Sequence, residues 1–269
     1  MSTETTQTQT GAERIAAAFA NSGKRAALMP YLMGGFPTLE GSRAIGEAYA
    51  DGGADLIELG VPFSDPLADG PVVHAAGTKA LAAGATLSGV LEVGRALSER
   101  LPVVLMAYSN LIYVRGFEAF ADLLVAHGVS GLIVPDLPLE EGPELLEVCD
   151  ARGLALVPLV APTTPDDRFA RIGERARGFL YTVSVTGTTG ERTEFDAGLG
   201  GLLARAKAST TVPVALGFGI GTPEQAAAAA DAGAAGVIIG SRLVCAAAEA
   251  DDPAAEVRAL VSAMAEALR

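Results

Sequence analysis

Three carboxylates lie close together in the first third of the chain, in a pattern that could transfer protons. Glu58 lies inside the apolar run 56–61, and Asp65 and Asp69 lie in the proline-rich loop that follows it. A lone ionised carboxylate in an apolar strand costs several kcal/mol unless it is paired or its pKa rises. No lysine or arginine lies in the predicted strands to pair with Glu58. We therefore expect Glu58 to have a raised pKa and to act as a general acid or base.

The other acidic residues are less distinctive. Asp69, in Ala-Asp-Gly-Pro, is either a second catalytic group or a turn residue. Asp65, in Ser-Asp-Pro, is expected to be a turn or interface residue rather than a catalytic one. Asp136, at a strand end in Pro-Asp-Leu-Pro, is expected to be a loop-organising residue.

Two glycine-containing segments near the C-terminus predict a phosphate site. They are Gly217–Gly221 and Gly240-Ser241, and each follows a predicted strand. Glycines permit a close approach of the backbone, and Ser241 can supply a hydroxyl and begin a helix whose free N–H groups bind an anion. Either segment alone also fits a tight turn, but two at matched positions favour a bound phosphate.

Eight short apolar runs could position these residues, and each leads into a helical pattern. The runs are continuous rather than alternating, which indicates strands buried on both faces of a parallel sheet. The predicted strands are Leu28–Met33, Leu56–Val61, Val103–Tyr108, Gly131–Pro135, Ala155–Val160, Phe179–Val185, Val214–Phe218 and Gly236–Ile239. The predicted helices include Glu13–Asn21, Leu39–Asp51, Gly77–Arg100, Phe117–His127, Pro223–Ala232 and Ala254–Leu268.

Eight such units in 269 residues predict an α/β fold, a (β/α)8 TIM barrel with an extra N-terminal helix. We expect residues 11–269 to form one barrel domain and the Ser/Thr/Gln-rich residues 1–10 to be a disordered tail. A doubly wound open sheet is the alternative, but no Gly-x-Gly-x-x-Gly follows the first strand. In a barrel, reactive groups lie at the carboxyl ends of the strands.

The composition of the chain limits which binding partners and which cellular compartment we expect. The formal net charge of −13 argues against nucleic acid and anionic membranes as main partners. No apolar run reaches the ~18 residues that a membrane span requires. The two cysteines are far apart in sequence and no signal peptide is visible, which favours reduced thiols and a cytoplasmic location.

The remaining residues argue against two other chemistries. A Schiff-base aldolase needs a lysine at a strand end, but Lys24, Lys79 and Lys207 fall in or beside predicted helices. A metal-dependent enzyme needs clustered ligands, and His74 and His127 are the only histidines. We therefore expect carbon–carbon or isomerase chemistry that depends on carboxylates alone, without a metal or cofactor.

From Ile15 to Ala263 the chain resembles the α subunit of tryptophan synthase. The motifs that carry the resemblance are residues 56–71 (LIELGVPFSDPLADGP), residues 135–141 (PDLPLEE), Gly-Phe-Gly-Ile and Gly-Ser. The resemblance implies a lyase of L-tryptophan biosynthesis that reversibly cleaves indole-3-glycerol phosphate to indole and glyceraldehyde 3-phosphate. It implies that Glu58 protonates the indole C3 and handles the glycerol hydroxyl proton, and that Asp69 accepts the indole N–H.

The same resemblance implies the substrate contacts. Tyr181 matches a tyrosine beside the glutamate, and the indole pocket is walled by Tyr31, Val73, Met106, Ile133 and Phe218. The phosphate is bound by Thr189, Gly190, Gly219, Gly240 and Ser241. The chain departs from the family pattern at Val185, Thr188 and His74.

A partner is implied as well, a pyridoxal-phosphate-dependent β subunit in an αββα heterotetramer. Pro62, Asp65 and Asn110 match family positions at that interface, and pyridoxal phosphate is expected in the partner rather than in this chain. Two alternatives stay open. Another sugar-phosphate barrel, such as a phosphoribosyl isomerase or indole-glycerol-phosphate synthase, would need an Asp or Lys where this chain has 31–34 (YLMG). A non-catalytic binding subunit is disfavoured because both Glu58 and Asp69 are retained.

Overall fold

The computed structural model describes residues 9–183, 198–217 and 219–269, and its parallel strands form a nearly closed ring. The strands are β1 (Ala27–Met33), β2 (Ile57–Gly60), β3 (Val103–Met106), β4 (Gly131–Ile133), β5 (Ala155–Val157), β6 (Leu159–Val160), β7 (Leu180–Val183), β8 (Val214–Gly217) and β9 (Gly236–Ile239). Around the ring they follow the order β5-β4-β3-β2-β1-β9-β8-β7-β6.

Pro158 divides the fifth predicted strand into β5 and β6. β5 pairs with β4 and β6 pairs with β7, so the two pieces together occupy one of eight positions. Proline has no N–H to donate, but its carbonyl still accepts from the Tyr181 amide at 3.1 Å. The predicted (β/α)8 barrel is therefore confirmed, and the open doubly wound sheet is wrong.

Helices surround the strands. They are α1 (Gly11–Ala20), α2 (Leu39–Asp51), α3 (Pro71–Ala82), α4 (Leu87–Ser98), α5 (Ser109–Tyr113), α6 (Phe117–Ala126), α7 (Pro143–Asp150), α8 (Asp166–Arg175), α9 (Gly198–Ser209), α10 (Pro223–Asp231), α11 (Ser241–Glu249) and α12 (Pro253–Ala267). No one of these helices is long and apolar enough to cross a membrane. Only α3 and α4 taken together would be, by length and composition, and a bend of 111° separates them.

The prediction of one helix over Gly77–Arg100 is wrong. A turn separates α3 from α4, since Gly84 has φ +86° and the Thr86 side chain caps α4 by accepting from the Gly89 amide at 3.2 Å. The Ala- and Leu-rich pattern continues across the turn, so periodicity alone conceals it. α3 instead begins at Pro71, directly after the loop that carries Asp69.

Apolar side chains form two clusters, a larger one mostly between strands and helices and a smaller one inside the barrel. α1 joins the smaller cluster through Ile15, which is fully buried. A Cβ added to Gly131 or Gly178 would lie 3.1 Å or 3.3 Å from the Ile15 side chain. α1 therefore closes the end of the barrel at which the strands begin, and the other end is free for the loops that carry the candidate site.

Candidate active site

Glu58 lies in β2 with its side chain buried inside the barrel, and only 2 % of the residue is exposed. It is in register with Tyr31 of β1 and Val104 of β3. Among the described residues, its Oε2 atom has no hydrogen-bond partner. Burial, and then the negative charge of Asp69, raise the pKa of Glu58 to about 8. The expected rise in pKa is therefore present, and its main cause is desolvation.

Asp69 lies in the loop between β2 and α3 and is held by Tyr108. The Tyr108 hydroxyl donates to Asp69 Oδ1 at 2.9 Å and accepts from the Ala68 amide at 3.0 Å. The Phe63 ring stacks on Tyr108 with centroids 5.1 Å apart. Burial raises the pKa of Asp69, while the Tyr108 hydrogen bond and the nearby His74 oppose that rise. Asp69 is therefore a positioned carboxylate rather than a free turn residue.

The two carboxylates can perform acid–base chemistry together. Within the described ranges, neither Glu58 nor Asp69 forms a salt bridge with a lysine or arginine. With a pKa of about 8, Glu58 holds a proton at neutral pH and can release it to a bound molecule. Asp69, being half-buried, offers a negative charge to a group that becomes positive.

Two tyrosines complete the floor of the site, and each depends on a glycine. A Cβ added to Gly60 would overlap the Tyr31 hydroxyl, and one added to Gly217 would lie 2.5 Å from the Tyr181 ring. Each ring therefore crosses a glycine on the next strand around the barrel. Burial, and the negative charge of Glu58, raise the pKa of both tyrosines, so both are neutral hydroxyls at physiological pH.

The residues of the predicted apolar wall are divided between the two apolar clusters. Met106 is half-buried and Ile133 is fully buried, and both pack in the barrel interior with Tyr181. Val73, in the first turn of α3, packs against the larger apolar cluster, to which Tyr31 belongs. Phe218 lies outside the described residues.

The predicted phosphate segments lie at the carboxyl ends of β8 and β9. Gly219 is exposed and has φ +80°, a backbone conformation that residues other than glycine rarely adopt. Gly240 and Ser241 begin α11 with no side-chain cap. The Leu243 and Val244 amides donate to the Gly240 carbonyl, so the Ser241 and Arg242 amides are the ones suited to an anion. Arg242 lies between the two segments, since a Cβ on Gly221 would lie 3.8 Å from its Cβ. Thr189, Gly190, Val185 and Thr188 lie outside the described residues.

The predicted interface residues differ in exposure. Asp65 and Asn110 are exposed, and Asp65 accepts from the Ser64 hydroxyl at 2.5 Å, whereas Pro62 is buried. Asp136 accepts from the Ser109 amide at 2.9 Å and from its hydroxyl at 2.7 Å. Its predicted role in organising a loop is thereby confirmed.

Sequence reasoning missed two residues of this region. It placed Tyr108 at a strand end without a role, because 39 residues separate it from Asp69 and nothing local links them. It also gave Arg242 no role, although a basic residue directly after Gly-Ser was a signal available in the sequence.

A family model described as tryptophan synthase alpha chain matches residues 18–269. The chain belongs to this family. The tryptophan synthase alpha chain of Prochlorococcus marinus strain MIT 9313 is 51% identical over 222 residues, which are 82% of this chain and 81% of the relative. That of Gloeobacter violaceus is 48% identical over 235 residues, 86% of this chain and 85% of the relative.

Solved structures agree with this membership in the tryptophan synthase alpha chain family. Tryptophan synthase from Mycobacterium tuberculosis superposes with a TM-score of 0.88 at 36% identity, covering 98% of this chain and 99% of that one. The tryptophan synthase a2b2 complex from Pyrococcus furiosus gives 0.84 at 37% identity, covering 90% and 98%. The family resemblance inferred from the motifs is confirmed, and with it the assignment of the chain as a lyase.

Proposed function

We propose that the chain catalyses the α reaction of tryptophan biosynthesis, the reversible retro-aldol cleavage of indole-3-glycerol phosphate to indole and glyceraldehyde 3-phosphate. The observation that carries the proposal is Glu58, a buried carboxyl with a pKa of about 8 and no cationic partner among the described residues. It lies beside an apolar wall that suits a flat heteroaromatic ring. Membership in the tryptophan synthase alpha chain family supports the same reaction.

In the proposed mechanism, one carboxyl group moves both protons. Protonated Glu58 gives its proton to the indole C3. Asp69 accepts a hydrogen bond from the ring N–H and stabilises the positive charge that develops on the ring. The Glu58 carboxylate then takes the proton of the glycerol hydroxyl while the carbon–carbon bond breaks. The bonding electrons return to the indole, the hydroxyl carbon leaves as an aldehyde, and Glu58 is protonated again.

The proposed phosphate site fixes the other end of the substrate. The Ser241 and Arg242 amides of α11 and the Ser241 hydroxyl would donate to the phosphate oxygens, favoured by the positive end of the helix dipole. Gly219 has no side chain, so the phosphate could approach its backbone closely. Arg242, whose stem lies beside Gly221, would add a positive charge at the rim.

The proposed partner is a tryptophan synthase β subunit in an αββα heterotetramer. The a2b2 complex from Pyrococcus furiosus supports the assembly, and the exposed Asp65 and Asn110 are proposed interface residues. We propose that this chain works without a cofactor and that pyridoxal phosphate belongs to the partner. Among the described residues, no group of three or more His, Cys, Asp or Glu could hold a metal ion. A cytoplasmic location is proposed in keeping with two free cysteines.

The test is to incubate the purified chain with indole and glyceraldehyde 3-phosphate and to follow the loss of indole, with and without a β subunit. We expect consumption that the β subunit accelerates, that dialysis against EDTA leaves unchanged, and that Glu58→Gln abolishes. Equal indole loss in wild type and Glu58→Gln, or none in either setting, would overturn the proposal.

A further inference from the structure

The hydroxyl of Tyr31 is buried at the site without a strong hydrogen-bond partner. The residue is 4 % exposed, and the partner of its hydroxyl among the described residues is the Met33 sulfur at 3.9 Å. A thioether is a weak acceptor, and buried tyrosine hydroxyls usually find a better one. By contrast, the buried Tyr49 hydroxyl donates to the Tyr31 carbonyl at 3.1 Å. The weakly bonded hydroxyl donor of Tyr31 therefore requires an explanation.

The position of the hydroxyl is set by β2. Tyr31 is in register with Glu58, and its ring crosses to Gly60, where a Cβ would overlap the hydroxyl oxygen. Glu58 and Gly60 share a strand face because alternate residues do, and Gly60 is nearer the open end of the barrel. The hydroxyl therefore lies on the open side of Glu58, towards the loop that carries Asp69.

Two buried polar atoms on neighbouring strands thus lack a strong partner among the described residues. Glu58 Oε2 has no partner among the described residues, and the Tyr31 hydroxyl has only sulfur. A carboxyl that exchanges a proton and a phenol that donates a hydrogen bond match a single ligand oxygen, namely an alcohol oxygen that gives up its proton and becomes a carbonyl oxygen. Burial, together with the negative charges of Asp69 and Glu58, keeps the phenol protonated and thus a donor.

We propose that the Tyr31 hydroxyl donates a hydrogen bond to the glycerol-chain oxygen on the carbon whose bond is cleaved. This inference rests on the proposed function. In cleavage, that oxygen loses its proton to Glu58 and becomes a carbonyl, and the Tyr31 donor stabilises the negative charge that accumulates on it. In the reverse reaction, the same donor polarises the aldehyde for attack by the indole C3. Tyr31 keeps its own proton throughout.

Tyr31→Phe tests the proposal because it removes the hydroxyl and keeps the ring. We expect the kcat for cleavage to fall by about 100-fold, the lower end of what one donor to a developing oxyanion contributes. The affinity for indole, measured by titration calorimetry, should stay within about twofold of wild type. The thermal midpoint of unfolding should stay within a few degrees of wild type. Tyr31→Leu should in addition weaken indole binding, since it removes the ring.

The matched control is Tyr113→Phe on α5, where the phenol is half-exposed and outside the barrel. In the isolated chain its kcat should equal that of wild type. A Tyr31→Phe kcat within about twofold of an active wild type would overturn this inference alone, whereas an inactive wild type would overturn the proposed function with it. Weakened indole binding in Tyr31→Phe would indicate a packing role, and a change confined to the acid limb of the pH profile would place the hydroxyl on Asp69. Either result would overturn the contact with the substrate oxygen.

Discussion

The two ends of the barrel use the same strands in opposite ways. At the end closed by α1, glycines at 131 and 178 leave room for Ile15, and the space is filled with apolar side chains. At the open end, Gly60 and Gly217 leave room for tyrosine rings near Glu58, whose Oε2 atom has no partner in the part of the chain that the structure describes. Small residues thus serve packing at one end and chemistry at the other, and what differs is whether a helix covers the opening.

Two carboxylates three residues apart make the same comparison in electrostatic terms. Asp55, just before β2, pairs with Lys24 at 2.9 Å and accepts from the Leu28 amide at 2.7 Å. Glu58, inside β2, has no such partner among the described residues. Burial raises the pKa of both carboxyls, but the Leu28 amide and Lys24 oppose that rise at Asp55, whereas the negative charge of Asp69 adds to it at Glu58. The following predictions test this difference.

The largest expected effect is on turnover in Glu58→Gln. The amide keeps the shape of the side chain but cannot exchange a proton, so kcat should fall by ~10²–10⁴-fold. Substrate affinity, measured by equilibrium binding, should change little. Turnover within about tenfold of wild type would show that Glu58 is not the acid–base group.

Asp55→Asn should have its effect on stability instead. It leaves Lys24, whose side chain is 9% exposed, without its charge partner. Breaking a buried pair from one side costs about 3–5 kcal/mol, which urea denaturation would measure as a lower free energy of unfolding. Turnover per folded molecule should be unchanged, and a loss of kcat comparable to that of Glu58→Gln would contradict the division between the two carboxylates.

Glu58→Gln should also change stability, in the opposite direction to Asp55→Asn and in a way that depends on pH. The ordinary pKa of Glu58, 4.5, rises to about 8 on folding, so the native state holds the proton more tightly than the unfolded chain. Wild-type stability should therefore fall as pH rises from about 4.5 to 8. A tenfold change in proton affinity corresponds to about 1.4 kcal/mol, so the variant should be more stable by up to a few kcal/mol at pH 8 and similar at pH 4.5. Denaturation at both pH values checks this, and a gain independent of pH would argue against the raised pKa.

Tyr108→Phe should have the smallest effect. It removes the donor to Asp69 and keeps the ring that stacks on Phe63. A hydrogen bond to a charged group contributes about 1.5–3 kcal/mol, and loop adjustment should reduce the loss of kcat/KM to roughly tenfold. Because that hydrogen bond lowers the pKa of Asp69, its loss should move the acid limb of the pH–rate profile to higher pH. An unshifted limb would show that Tyr108 does not control Asp69.

The sequence by itself determined the eightfold strand pattern and the distinctive position of Glu58, because continuous apolar runs and an unpaired carboxyl within one of them are local features. It also marked the glycines that follow β8 and β9. Only the tertiary structure decided how Tyr108 holds Asp69 and how the Tyr31 ring crosses Gly60. It likewise revealed the turn between α3 and α4 and the division of a strand at Pro158. The reason is physical: periodicity reports which face of a segment is buried, whereas a contact between side chains on different strands depends on register and on the space that a small residue leaves.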